Sequence, residues 1–156
     1  MTPARWISSN QNQNKLANIE ILLYSREVTT SEKPRIADIV WEGDSQQILQ
    51  SWPKAIRIDF GVSLWEMQQG NPARLETRRM ESVGKNVFEL KDSDDSTWYR
   101  MMYLTRVGDV IHVLDCFEKD SAKTEKKDLR RATARLSQVQ QRLMEERKNA
   151  KRKANK

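Results

Sequence analysis

The sequence predicts an α+β fold: an antiparallel sheet with an N-terminal helix hairpin packed on one face, followed by a long C-terminal helix. Two helical patterns, separated only by Trp52-Pro53, precede several alternating, strand-like patterns. An apolar stripe with helical spacing follows the last strand pattern. Helices that lie before and after a run of strands are typical of the α+β class, in which they pack on one sheet face. We expect the opposite face to be bare unless another part of the chain covers it.

The chain of 156 residues is long enough for one compact domain. We expect this domain to span residues 35–136, between an N-terminal extension over 1–34 and a basic helical extension over 137–156. The N-terminal extension begins with a segment rich in Asn, Gln and Ser. Such a composition buries too little apolar surface to fold stably, so this extension is expected to be largely disordered or weakly structured. Its apolar run at 19–24 is compatible with a strand or with a short docking helix.

The first predicted strand covers residues 35–41, which are rich in isoleucine and valine. A helix over 45–52 follows it. Either Asp44 or Ser45 can cap this helix, because a short side-chain oxygen accepts hydrogen bonds from the free backbone N–H groups. Pro53 ends the helix and can begin the next one.

The second helix of the hairpin is predicted over residues 54–69. Ile56, Phe60 and Leu64 recur at every fourth position, which places them on one face of a helix. Gly70 stands where a left-handed residue is favoured at a helix C-terminus. The two helices therefore form a hairpin with one apolar side.

Strand patterns follow at four places, weak over 74–82 and clear over 86–91, 98–106 and 110–117. The last three are joined by short polar turns, which imply an antiparallel meander. The run over 110–117 is apolar nearly throughout, as in a central strand that is covered on both faces.

A long helix is predicted from about residue 124. Its apolar positions are spaced alternately by three and four residues, and they are Leu129, Ala132, Leu136, Val139 and Leu143. This heptad stripe spans about two heptads, which is short for a coiled-coil dimer. We therefore expect its first half to pack on the sheet and its second half to extend into the basic tail.

The positive charge of the chain is concentrated at its C-terminal end. The net charge of +6 is the sum of +1 for residues 1–34, −4 for 35–118 and +9 for 119–156. A segment this basic is typical of binding to a polyanion or to an acidic protein. A solvated helix face is the simpler alternative, and the charge alone favours neither.

The cysteine and histidine content excludes several classes of protein. The single Cys116 cannot form an internal disulfide, and with the single His112 it leaves only carboxylates as further metal ligands. We therefore expect neither a metal site nor a cofactor. The sequence also lacks a membrane-spanning apolar run and an N-terminal signal pattern, so we expect a cytoplasmic protein with no membrane partner.

Four motifs in this order resemble those of HigB-like toxins of the phage-derived branch, which belong to the RelE/ParE toxin superfamily. They are VWEGDS at 40–45 with Trp52-Pro53, Leu64 with GNP at 70–72, VFELK at 87–91 with WYRMMY at 98–103, and VLDCFEK at 113–119 with Lys123-Thr124. The resemblance covers about residues 35–136. It departs from the family pattern at Asp115, where the family often has His, and at Asp120, where the family usually has a second Lys.

The resemblance implies a RelE-like fold and the toxin of a type II toxin–antitoxin system. Such a toxin is a metal-independent endoribonuclease, or mRNA interferase, which inhibits translation by cleaving mRNA on the ribosome. Its partner is a helix-turn-helix antitoxin. The superfamily also includes toxins that poison DNA gyrase, so a non-enzymatic nucleic-acid-binding or gyrase-targeting protein is the alternative. The departures at Asp115 and Asp120 also allow an inactive remnant.

Metal-free RNA cleavage uses the ribose 2′-hydroxyl as nucleophile, and it needs cations at the phosphate and groups that transfer protons. In view of the resemblance, we expect Arg100 to clamp the phosphate, because its guanidinium fork matches two phosphate oxygens. Lys119 is expected to be a second cation or the general acid. Glu89 is expected to orient Arg100 or to act as the base.

Contacts to the RNA backbone are expected from five cations, Lys91, Lys123, Lys126, Lys127 and Arg130. Strand parity places Glu89, Lys91 and Arg100 together on the sheet face opposite Phe88. His112 is a further acid–base candidate because histidine titrates near neutral pH, although a hydrogen-bonded core histidine is the simpler interpretation. Simpler interpretations also exist for the other residues: a cross-strand pair for Glu89, solvated lysines, and an Arg100 that neutralises the acidic loop at 92–95.

Overall fold

A computed structural model describes residues 35–120 and 125–156 of the chain. The predictions for residues 1–34, including the apolar run at 19–24, lie outside the described residues. The same holds for Lys123. The elements of the described part follow the predicted order of strand, helix hairpin, strands and long helix.

The five strands form one sheet with the order β1-β5-β4-β3-β2. They are β1 (Asp38–Trp41), β2 (Glu76–Arg79), β3 (Val87–Ser93), β4 (Trp98–Val107) and β5 (Val110–Lys119). Strands β2 to β5 pair antiparallel, which confirms the predicted meander. Strand β1 pairs with β5 in parallel, so that β5 lies inside the sheet and its apolar residues are buried on both faces.

The hairpin consists of α1 (Ser45–Ser51) and α2 (Lys54–Gln68), and it packs on one side of the sheet, here called the hairpin face. Ile56, Phe60 and Leu64 are buried, as their spacing predicts. The Trp52 ring links the hairpin to the sheet, because its centroid lies 5.0 Å from that of Phe60 and 5.2 Å from that of Tyr99. This face of the domain is thus closed by apolar and aromatic packing.

The predicted cap of the first helix is wrong in its details. Asp44 occupies the N-cap position of α1 but makes no side-chain hydrogen bond to the helix backbone. Its carboxylate instead accepts a hydrogen bond from Arg135, and the Ser45 hydroxyl donates one to the carbonyl of Val113. Both side chains thus bind partners that are distant in sequence instead of the backbone N–H groups of the helix. The predicted end of α2 is confirmed, since Gly70 has a φ of 86°.

The long helix α3 (Lys126–Ala154) packs on the other side of the sheet, here called the α3 face. Ala132, Leu136 and Val139 are fully or almost fully buried there, so the predicted stripe packs within the chain. The helix runs unbroken past residue 136, where the expected domain boundary lies. No helix of the part that the structure describes is both long and apolar enough to cross a membrane.

The sheet face opposite the hairpin is not bare, because another part of the chain covers it. Five buried apolar side chains of the strands belong to the cluster on the α3 face, and they are Val87, Met102, Leu104, Leu114 and Phe117. The stripe of α3 supplies that cover. The sheet thus lies between two helical layers, with a separate apolar cluster on each side.

Candidate functional site

Four predicted site residues lie on one face of the sheet, at neighbouring positions of β3, β4 and β5. Lys91 is opposite Arg100, and Lys119 is opposite Trp98, which is two residues before Arg100 on the same strand. Residues that are directly opposite, or two apart on one strand, point to the same face. Glu89 joins this set through its contact with Arg100. We call Glu89, Lys91, Arg100 and Lys119 the strand charge cluster, and it lies on the α3 face.

Arg100 and Glu89 form a buried ion pair at the centre of the cluster. The guanidinium Nη1 donates to the Glu89 carboxylate at 2.6 Å, and each residue is only 1% exposed. Arg78 approaches the same carboxylate from the surface, at 3.5 Å. The guanidinium that we expected to clamp a phosphate is therefore buried and bound to Glu89 in this structure. A charge that is taken out of water needs a partner, and Glu89 provides one.

The two lysines of the cluster also have acidic neighbours. The Lys119 ammonium lies 3.6 Å from the Asp128 carboxylate of α3, and both residues are buried. Lys91 is half-buried, 3.0 Å from Glu76 on β2, and its ammonium lies over the Trp98 ring. In this arrangement Lys119 is covered by α3, whereas Lys91 reaches the rim of the face.

The predicted RNA contacts on α3 lie at its exposed beginning. Lys126, Lys127 and Arg130 are all exposed. Lys127 is paired with Glu125 at 3.3 Å, and the Arg130 guanidinium donates to the backbone carbonyl of Lys126. These cations can meet a solvent-side ligand without any rearrangement of the domain. The simpler interpretation, a solvated helix face, fits the same positions.

Asp115 on β5 links the sheet to α3 through hydrogen bonds from two arginines of that helix. Its carboxylate is fully buried and accepts two hydrogen bonds from Arg131, at 2.9 and 3.0 Å, and one from Arg135, at 3.1 Å. Arg131 also binds Asp128, and Arg135 also binds the carbonyl of Leu114. Burial raises the pKa of the Asp115 carboxyl above its ordinary value, against the opposing effect of the Arg131 guanidinium.

A second buried group connects His112 with α3. The Nδ1 atom of His112 lies 3.2 Å from the Glu42 carboxylate, and Arg142 of α3 donates to the same carboxylate oxygen. The Nε2 atom of His112 has no hydrogen-bond partner among the described residues. His112 is 6% exposed, so it lies in the core as the simpler interpretation holds.

Sequence reasoning missed the α3 residues that close this face. Asp128, Arg131 and Arg135 follow each other at intervals of three and four residues, which places them along one side of the helix. That side runs next to the apolar stripe. A row of charged residues beside an apolar stripe indicates that the charged side chains lie at the edge of the buried surface. The sequence could therefore have predicted that Asp128, Arg131 and Arg135 bind charged groups of the sheet.

The turn after β1 fits closely against α3. Gly43 has a φ of 56°, and a Cβ atom at this position would lie 2.5 Å from the Arg135 guanidinium. Glycine is the residue that adopts this backbone conformation without strain, and it also leaves room for the guanidinium. A glycine at position 43 therefore leaves the space in which the Arg135 guanidinium binds Asp44 and Asp115.

The described residues offer no obvious centre for metal or thiol chemistry. Across 35–120 and 125–156, no group of three or more His, Cys, Asp or Glu side chains is placed to hold a metal ion. Burial raises the pKa of the Cys116 thiol well above its ordinary value, so that it stays protonated near neutral pH. The strand charge cluster itself consists of one arginine, two lysines and one glutamate.

The layered arrangement of hairpin, five-stranded sheet and C-terminal helix defines an α+β protein with a RelE-like fold. The family model described as phage-derived protein Gp49-like (DUF891) matches residues 47–137. This range is more than half of the chain, and the chain belongs to this family, which is part of the RelE/HigB-type toxin group. The match includes all members of the strand charge cluster. No curated protein matches the chain.

Proposed function

We propose that this protein is a HigB-like toxin of a type II toxin–antitoxin system. In this proposal it is a metal-independent endoribonuclease that acts in the cytoplasm on ribosome-bound mRNA, and a helix-turn-helix antitoxin neutralises it. Its family is associated with the toxins of such systems, and a toxin implies an antitoxin partner. The observation that carries the proposal is that Arg100 and Lys119 lie on one face of two adjacent strands, β4 and β5, two register positions apart.

The proposed reaction is an attack of the ribose 2′-oxygen on the adjacent phosphorus. A bond from the 2′-oxygen to phosphorus forms and the bond to the 5′-oxygen breaks, which leaves a cyclic phosphate and a 5′-hydroxyl. Arg100 would stabilise the charge of the phosphorane, since its fork binds two equatorial oxygens. Lys119 would give a proton to the leaving 5′-oxygen. Glu89 would orient Arg100 or receive the 2′ proton.

This reaction requires the α3 face to open, because Glu89, Arg100 and Lys119 are almost fully buried. The contact that covers Lys119 is ionic, through Asp128 at 3.6 Å. An RNA phosphate is an anion, as the Asp128 carboxylate is. It can therefore take the place of this carboxylate beside Lys119, and the Lys119 ammonium then keeps an anionic partner. The proposal therefore includes a movement of the beginning of α3 before cleavage.

A non-enzymatic nucleic-acid-binding or gyrase-targeting protein is the second candidate. One observation favours it: Arg100 is engaged by Glu89, whereas Lys126, Lys127 and Arg130 are exposed. A protein that binds a polyanion without cleaving it does so through exposed cations, and a buried guanidinium is not required for such binding. The two candidates differ in whether new RNA ends appear.

The test is induced expression of the full chain in a bacterial host, with mapping of new 5′-hydroxyl ends in the mRNA. We expect growth arrest and new 5′-hydroxyl ends for the unchanged chain. The variant with Arg100→Met and Glu89→Met removes the whole ion pair, so that no unpaired charge is left buried. We expect it to lose roughly 100-fold or more of the cleavage, as is typical when a group that stabilises the transition-state charge is removed.

The matched control is Arg57→Met, which removes an exposed guanidinium from α2 on the other side of the sheet. It should cleave like the unchanged chain. Arrest without new 5′-hydroxyl ends would support the binding protein instead. Equal cleavage by the paired variant and the control would exclude Arg100 and Glu89 from the reaction. Relief of the arrest by a helix-turn-helix protein encoded next to this chain is the expected sign of the antitoxin.

A further inference from the structure

The last part of α3 leaves the folded domain while it remains helical. The helix continues to Ala154, but the apolar stripe ends with the half-buried Leu143. Every residue from 144 to 156 is exposed. The helical part of this segment, 144–154, is about 16 Å long. We call residues 144–156 the arm.

The arm is strongly basic. It contains two acidic residues, Glu145 and Glu146, and six basic residues, which are Arg147, Lys148, Lys151, Arg152, Lys153 and Lys156. Its formal net charge is therefore +4. The cations recur at each turn of the helix, so they form a continuous positive surface instead of a single point.

The cations of the arm differ from those earlier on the same helix. Arg131, Arg135 and Arg142 each bind a carboxylate of the domain. None of the six cations of the arm has an ion-pair partner among the residues that the structure describes. The first group thus holds the helix on the sheet, whereas the arm is open to a ligand from outside.

The helix dipole explains only part of this charge. Cations in the last turn of a helix are favourable, because the free carbonyl groups carry partial negative charge. That effect decays within one turn, so it accounts for Lys151, Arg152 and Lys153 but not for Arg147 and Lys148. A positive surface that extends beyond the last turn indicates an extended anion as ligand.

We propose that the arm is an RNA-binding element that grips the phosphate backbone of double-helical RNA outside the cleavage site. The choice of RNA over other polyanions rests on the proposed function, since a toxin that acts on ribosome-bound mRNA works among structured RNA. The arm itself has the charge that a phosphate backbone requires, because its cations from Arg147 to Lys153 are exposed along about 10 Å of helix. Binding of this kind reads the backbone and is independent of sequence.

The test measures binding of the full chain to a fluorescein-labelled RNA duplex of about 20 base pairs, by anisotropy over a series of KCl concentrations. The duplex carries 2′-O-methyl riboses, which have no 2′-hydroxyl and cannot be cleaved. The arm variant carries Lys148→Gln, Lys151→Gln, Arg152→Gln and Lys153→Gln. A matched control removes four exposed cations from other parts of the domain, with Lys54→Gln, Arg57→Gln, Arg74→Gln and Lys85→Gln.

We expect the arm variant to bind about tenfold or more weakly near 100 mM KCl. The dependence of log Kd on log salt should be less steep by about 3.6, because four phosphate contacts are lost. The control should change the affinity by about twofold or less. Equal losses in the two variants would mean that only net charge matters, and would overturn the proposal. Tighter binding to a DNA duplex of the same sequence, or to a polyglutamate peptide, would also overturn it. Since the probe cannot be cleaved, a failure of the nuclease proposal leaves this result unaffected.

Discussion

The two faces of the sheet are closed by different means. On the hairpin face the helices pack through apolar and aromatic side chains, such as Phe60, Leu64 and Trp52. On the α3 face an apolar stripe is accompanied by a group of buried ionisable side chains, which are Glu42, Glu89, Arg100, His112, Asp115, Lys119 and Asp128. These are all the Asp, Glu, His, Lys and Arg side chains that are buried in the described part of the chain.

This difference indicates that the hairpin face mainly stabilises the fold, whereas the α3 face carries the functional groups. Apolar contacts stabilise a fold without regard to direction, whereas a buried ion pair seldom stabilises more than a well-packed apolar pair would. The hairpin face is therefore expected to contribute most of the stability of the domain. The charged groups of the α3 face are better explained by a role in function than by a role in stability. An anionic ligand can replace the carboxylates that pair with the cations of this face.

The largest expected effect is on the hairpin face. Phe60 is fully buried and contacts the Trp52 ring, so Phe60→Ala should lower the free energy of unfolding by about 4 kcal/mol. Urea denaturation measures this change. Ile58 on the same helix is 52% exposed, and Ile58→Ala should cost no more than about 0.5 kcal/mol. Similar losses for the two variants would show that this face is not the main core.

A somewhat smaller effect is expected when the ion pair of the α3 face is broken on one side. Arg100→Ala leaves Glu89 buried without its main partner and should cost about 3 kcal/mol, at the lower end of the usual range because Arg78 can still approach. Replacing both residues by Met should restore the stability to within about 1 kcal/mol of the unchanged chain. If the paired variant is as unstable as Arg100→Ala, the ion pair is a structural requirement and the contrast between the faces fails.

The smallest expected effect depends on pH and belongs to Asp44. The hydrogen bond from Arg135 lowers the pKa of Asp44 below its ordinary value of 3.8. The ionised carboxylate therefore stabilises the folded chain above about pH 4, and this contribution is lost as the pH falls through the lowered pKa. The Asp44 side chain is 54% exposed, so Asp44→Asn should cost only about 0.5 kcal/mol at neutral pH. In urea denaturation the difference from the unchanged chain should become smaller as the pH is lowered from neutral to below about 4. A difference that does not decrease with pH would show that the ionised Asp44 carboxylate is not its cause.

Periodicity predicted much of the fold because it reports which side of an element is buried. The spacing of Ile56, Phe60 and Leu64 identified the apolar side of α2, and the stripe on α3 was found in the same way. Alternation in β3 also placed Glu89 and Lys91 opposite Phe88. Each of these signals is local, since it lies within a few turns or residues of one element.

Contacts between distant parts of the chain could not be predicted in this way. A stripe shows that α3 packs on something, but it does not show which face of the sheet receives it. Asp44 and Arg135 are 91 positions apart in the sequence, and no spacing rule connects them. Arg100 is buried on the sheet face on which α3 packs. Sequence reasoning therefore identified the chemical group and its neighbours but not its accessibility.

The glycine at position 43 has a consequence for how the last helix could be loosened. A methyl group there would occupy the space of the Arg135 guanidinium and would favour a different backbone conformation in the turn. Gly43→Ala would thus displace Arg135 from both of its carboxylates while every charged residue of the protein is kept. A single methyl group in the turn after the first strand would thus change the contacts of a side chain on a helix that begins more than eighty residues later.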